Sequence, residues 1–142
     1  MIKEIEIQNF KSHKETKLEL KNLTVLCGSN GVGKSSIVQA LLLLREAFLN
    51  KTNFEYLDLL SNPIRIGTIK DAIYQFSEID GFSFNIKTDI QTARFNFETN
   101  ETDLSKTLIN ESKRQPNDFN SKELIQDSLF NTNFQFISAA RQ

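Results

Sequence analysis

Ile2, Ile5, Ile7 and Phe10, followed by Leu18 and Leu20 beyond a polar turn from Lys11 to Lys17, predict two short strands paired as a hairpin. The next apolar run, Leu23-Thr24-Val25-Leu26-Cys27, does not alternate, which is the pattern of a central parallel strand buried on both faces. From about Gly33 to Asn50, Ile37, Val38, Ala40, Leu41 to Leu44, Ala47 and Phe48 occupy most of a helical surface, so a nearly all-buried helix is expected. The piece Asn53 to Leu60 reads as a short helix or turn, Ser61-Asn62-Pro63 interrupts it, and Gly67-Thr68 opens a short helix through Asp71 and Gln75. Phe82-Ser83-Phe84-Asn85-Ile86 and Arg94-Phe95-Asn96-Phe97-Glu98 alternate as two strands of an antiparallel layer with one wet face. Residues 99–120 are polar, with an exposed loop at Arg114-Gln115-Pro116-Asn117. Asn120 and Glu123 have capping-box spacing ahead of a short helix carrying Leu124, Ile125 and Leu129. Phe134-Gln135-Phe136-Ile137-Ser138 reads as a strand returning to the core.

The candidate chemistry lies between the apolar run and the long helix. Gly28-Ser29-Asn30-Gly31-Val32-Gly33-Lys34-Ser35 fits GxxxxGK[ST], and its place between a strand and a helix is the context this motif needs to wrap the phosphates of ATP or GTP. The glycines allow backbone conformations that a Cβ forbids, so successive N–H groups can turn inward at a helix N-terminus, where the helix dipole also favours an anion. Lys34 is expected to reach the β- and γ-phosphates. The Ser35 hydroxyl is expected to ligate Mg²⁺, and the Ser36 N–H to serve the α-phosphate. Chance alone supplies the four fixed positions in roughly one of a few hundred chains of this length.

Composition narrows the setting. With 142 residues, 39% hydrophobic and 25% charged, the chain is about one domain and can build a core. Seventeen Lys and Arg against 18 Asp and Glu give a net charge of −1, which offers no global attraction for nucleic acid or an anionic membrane. No window approaches the ~18 apolar residues of a membrane span, and the N-terminus, with Glu4 and Glu6, lacks a signal-peptide pattern; a cytoplasmic protein is expected. Cys27 is the single cysteine, which excludes an internal disulfide and reads as a small buried core residue.

Ile5 to Phe10 with Lys11-Ser12-His13, Leu23 to Cys27, the phosphate loop through Ser36, and Ile37-Val38-Gln39-Ala40 together resemble the opening of ABC-type ATPases of the SMC, RecF and OLD-like group. Leu60 to Asp71 and Phe136-Ile137-Ser138-Ala139-Ala140-Arg141 resemble the predicted-ATPase branch of that group. The specific part of the likeness covers residues 1 to about 48. It implies an α/β fold: a P-loop NTPase core with a parallel sheet and phosphate-loop helix, plus an ABC-type antiparallel β layer, in an incomplete domain. The segments expected are a hairpin at 1–22, strand, loop and helix at 23–50, the antiparallel layer at 51–98, a polar loop region at 99–120, and a helix and core strand at 121–142. Arg141-Gln142 resembles the position leading into the Q-loop, which makes Gln142 a candidate contact for Mg²⁺ or the attacking water. Lys11 and His13 fall in a basic turn that the resemblance places near nucleotide or DNA, and that turn chemistry alone explains as a solvated hairpin tip.

Hydrolysis in this class needs an apolar strand ending in acidic residues, and none is present: Ile79-Asp80 lies in a turn, and Leu60-Ser61-Asn62-Pro63 lacks the glycines of a signature segment. The resemblance accounts for this by implying a longer ATPase whose second half carries those parts, with ATP sandwiched in a homodimer of heads and a DNA or nuclease partner, and no membrane. A non-catalytic nucleotide-sensing module remains an alternative, as does a GTPase or nucleotide kinase. For a GTPase, Asn50-Lys51-Thr52-Asn53 has the wrong fourth residue for a guanine reader.

Overall fold

A computed structural model describes residues 1–50, 54–109 and 121–137. Five strands, β1 (Ile2–Phe10), β2 (His13–Glu19), β3 (Gly81–Thr88), β4 (Thr92–Thr99) and β5 (Thr107–Ile109), form one sheet in the order β2-β1-β3-β4-β5. The pairings are all antiparallel. Helix α1 runs Lys34–Leu49, α2 Ile69–Ala72 and α3 Ser121–Leu124, and a 3₁₀ turn follows at Ser128–Phe130.

Register turns the alternation in the sequence into two unlike faces. Ile5 lies opposite Leu18 and Ile86, Ile7 opposite Phe84, Phe84 opposite Phe95, and Phe82 opposite Phe97, so the large apolar side chains share one face. The chain has 12 phenylalanines and no tryptophan, and the rings do the filling: Phe84 packs edge-on to Phe10 at 5.0 Å and to Phe97 at 5.9 Å. The opposite face is polar. There Glu6 accepts from Gln8 at 2.7 Å and from Asn85 at 3.2 Å, and Lys17 pairs with Glu4 at 3.0 Å.

Helix α1 covers the apolar face with Ile37, Ala40, Leu43, Leu44 and Ala47, all buried. Arg45 on this helix donates to the carbonyl oxygens of Leu129 and Asn131, and its guanidinium stands 4.5 Å from the Phe134 ring centre. Those contacts tie the 3₁₀ turn to the helix. Phe48 of α1 packs at a tilt against Phe130 from the same turn, with ring centres 5.0 Å apart.

Several expectations are corrected. The Leu23–Cys27 run has no ladder partner among the described residues. Leu23 is 82% and Val25 70% exposed, and Cys27 is exposed rather than part of the core. A non-alternating run needs a neighbour on each side to be buried, and the sheet present is antiparallel and runs elsewhere, so the parallel core is not formed among these residues. Residues 134–137 likewise have no ladder partner among the described residues, and Ile137 is 81% exposed. The turn after β1 is short: His13 pairs with Phe10, which leaves only Lys11 and Ser12 between the strands. Of the two readings given to 53–60, short helix or turn, the described part 54–60 takes the turn, with a bridge from Asp58 to Lys106, and β5 emerges from a region read as polar loop. Asn120, the loop at 114–117 and the segment 138–142 lie outside the described residues.

Two predictions follow from these contacts. Phe84→Ala removes a fully buried ring from the middle of the apolar face and is expected to cost about 3–5 kcal/mol in chemical denaturation. The second concerns Asp71, whose carboxylate accepts from the Thr68 N–H and the Thr68 hydroxyl, both at 2.8 Å, closing a capping box on α2. The backbone bond, then the hydroxyl bond and the nearby Lys11 charge, hold this carboxyl below its ordinary value of 3.8. Its contribution is therefore complete above the ordinary value and lost as pH falls through the lowered folded one. In an acid titration of wild type followed by NMR, the Thr68 amide resonance should move with that lowered midpoint, and Asp71→Asn should abolish the movement.

Candidate functional site

The chain leaves β2 at Glu19, is tied to β1 through the Leu20 N–H to the Lys3 carbonyl at 2.7 Å, bends at Asn22 and Leu23, and continues through Cys27 into the loop that opens α1. The curl depends on left-handed backbone at Gly31 (φ +89°) and Gly33 (φ +91°), where a Cβ is strained. Gly33 is also the residue before the first turn of α1. It carries no side-chain cap, and the first turn holds no acidic residue. The first N–H groups of the helix thus lack the partners a cap would supply, and the positive end of the helix dipole faces the loop.

Lys34 lies across the opening. Its Nζ donates to the carbonyl oxygens of Gly28 at 2.7 Å and Ser29 at 2.6 Å, so the ammonium closes the curl on itself. An anion in the hollow offers stronger, charge-assisted bonds to that ammonium than two neutral carbonyls do. Ser29, Asn30, Val32 and the Ser35 side chain are exposed at the rim. Ser36 turns inward: its side chain is buried and its N–H donates to the Gly33 carbonyl at 3.0 Å. Gln142 lies outside the described residues.

The β1–β2 turn closes over the loop from the sheet side. Because His13 lies opposite Phe10, it shares the apolar face and is only 6% exposed, directly beside the start of α1. Its Nε2 is 2.9 Å from the Gly33 carbonyl and its Nδ1 is 2.8 Å from the Thr16 hydroxyl. The approach is close enough that a Cβ on Gly33 would lie 2.3 Å from Ser12 Oγ and 2.5 Å from His13 Nε2. On the other side of the turn, the Lys11 N–H donates to the Ala72 carbonyl at 2.7 Å, which links the turn to α2. The sequence leaves His13 with two readings, a turn that the resemblance places near nucleotide or DNA and a solvated hairpin tip, and its burial against the start of α1 rules out the solvated tip. The signal that locates His13 is the spacing from Phe10, which puts it on the inward face once the turn has two residues.

Among the described residues no group of three or more His, Cys, Asp or Glu side chains lies together. Among the same residues no helix is long and apolar enough to cross a membrane.

Comparison with known proteins adds two findings. Residues 1–139 match the AAA_15 family, described as an AAA ATPase domain. The DNA double-strand break repair Rad50 ATPase of Archaeoglobus fulgidus is 40% identical over 58 residues, a match covering 37% of this chain and 6% of that protein. The chain therefore spans a small fraction of the length of this relative.

Gly33→Ala places a side chain where both the backbone conformation and the hairpin oppose it. Thermal and urea denaturation should show a loss of about 2 kcal/mol or more, and the hydrogen bond between His13 and residue 33 should be lost.

Proposed function

This chain belongs to the AAA ATPase domain family, and we propose that it binds ATP with Mg²⁺ in the hollow formed by Gly28, Ser29, Asn30, Gly31, Val32, Gly33, Lys34, Ser35 and Ser36. The observation that carries this reading is the pairing of an uncapped, acid-free α1 N-terminus with an ammonium held at the loop mouth by two carbonyls. Loop N–H groups would bind phosphate oxygens without a Cβ in the way. Lys34 would leave the Gly28 and Ser29 carbonyls for the β- and γ-phosphates, and the Ser35 hydroxyl would take a place in the coordination sphere of Mg²⁺. The Ser36 N–H, engaged with Gly33 in the first helical turn, would serve the α-phosphate by sharing that hydrogen. The bound cation supplies charge neutralisation between the phosphates.

We extend the reading to the longer assembly that the sequence resemblance implies. There the nucleotide is held between two heads of a homodimer, an acidic strand and a signature segment complete the site, and Gln142 contacts Mg²⁺ or the attacking water. Hydrolysis then drives a conformational change in an attached DNA-handling or nuclease element. The similarity to a DNA double-strand break repair ATPase supports this setting. In such an assembly this chain supplies binding and positioning, and turnover by the chain alone is not expected.

Calorimetric titration with Mg·ATP and Mg·GTP tests the binding step. The wild-type chain should bind Mg·ATP, and Lys34→Ala should weaken that binding by about 10- to 100-fold, the effect of losing a charged hydrogen-bonding partner. Absence of binding by the wild type, or equal binding by Lys34→Ala, overturns the assignment. A strong preference for Mg·GTP would return the site to the GTPase class.

A further inference from the structure

We propose that His13 is a positioning residue for the phosphate loop: by holding the Gly33 carbonyl from outside the helix, it aims the Lys34 amide N–H into the hollow. This deepens the nucleotide-binding reading above and rests on it. The carbonyl of Gly33 can only accept, so the Nε2 at 2.9 Å must carry the proton. The Thr16 hydroxyl, 2.8 Å from Nδ1, donates to that nitrogen in the neutral ring and so selects the Nε2–H tautomer.

Peptide planarity transmits the effect. In a trans peptide the C=O of one residue and the N–H of the next lie in one plane and point in opposite directions, so fixing the Gly33 carbonyl fixes the Lys34 N–H. That carbonyl also accepts from Ser36 and Ile37 at 3.0 and 3.3 Å, bonds that belong to the first helical turn and fray with it. A turn with neither a side-chain cap nor an acidic residue has little of its own to hold it. The hairpin provides the missing restraint, and it does so on the carbonyl side, which leaves the N–H side of the turn free for an anion. The fit is reciprocal, since the space a Cβ on Gly33 would need is filled by Ser12 and His13. The residue at this position of β2 therefore influences phosphate binding without touching phosphate.

The test uses the whole chain in three variants. His13→Leu removes the donor and keeps an apolar side chain of similar size, His13→Gln restores an N–H at about the same reach, and Thr16→Val removes the tautomer selection. In the nucleotide-free chain, the Lys34 amide and Gly33 carbonyl NMR resonances should shift in His13→Leu and return toward wild type in His13→Gln. Mg·ATP affinity by calorimetry should fall about tenfold in His13→Leu, recover in His13→Gln, and fall about threefold in Thr16→Val. The melting temperature, measured in parallel, should not follow the same order. Unchanged resonances in His13→Leu, wild-type affinity in that variant, or failure of His13→Gln to recover would each overturn the proposal. If His13→Leu does not fold, Thr16→Val decides, and wild-type affinity there overturns it. A wild-type chain that ignores Mg·ATP while the Lys34 resonance still follows the His13 series removes the nucleotide reading and leaves the restraint standing.

Discussion

The aromatic face of the antiparallel sheet, and the helix that covers it, set the position of everything else. Burial of Ile5, Ile7, Phe82, Phe84, Phe95 and Phe97 in the one core that also takes in α1 fixes the strand register, because a shift of one residue would turn this row to solvent and bring Glu6, Gln8, Ser83 and Asn85 into the core. Once α1 lies on that face, its first turn must start beside the β1–β2 turn. The site is a consequence of that packing. The glycine-rich loop ends the connection that reaches α1 from the end of β2.

Two requirements meet at Gly33. It must take a left-handed conformation to start the helix, and it must leave room for Ser12 and His13 to approach. A bond from β2 to the helix start couples the sheet to the loop, so a change in hairpin position alters the amide nearest Lys34. Lys34, in contrast, is held among the described residues by local carbonyls and can be redirected by an anion with little reorganisation elsewhere. The loop thus combines a restrained backbone with a movable charge.

The exposed apolar run at Leu23 to Cys27 sits next to this loop. Its side chains have the character of a buried strand, yet among the described residues it has no ladder partner, and only Leu26 packs partly against the core. Propensity alone does not create a central strand; hydrogen-bonding partners on both edges do. The two clearest local patterns, β3 with β4 and α1, formed without any such help because each finds its partner nearby or buries a single face.

Residue type and spacing by themselves determined the phosphate-loop motif, the long apolar helix behind it, the N-terminal hairpin and the alternating pair around Phe84 and Phe95, since each is written in local periodicity or in glycines at fixed intervals. They did not reveal β5, a three-residue edge strand too short to show alternation, or the lack of a ladder at Leu23 to Cys27, which depends on what other segments bring. Nor did they place His13 against Gly33. Only the tertiary structure decided that, because a contact between residues 20 apart in sequence depends on the two-residue turn and on where α1 comes to rest over the sheet.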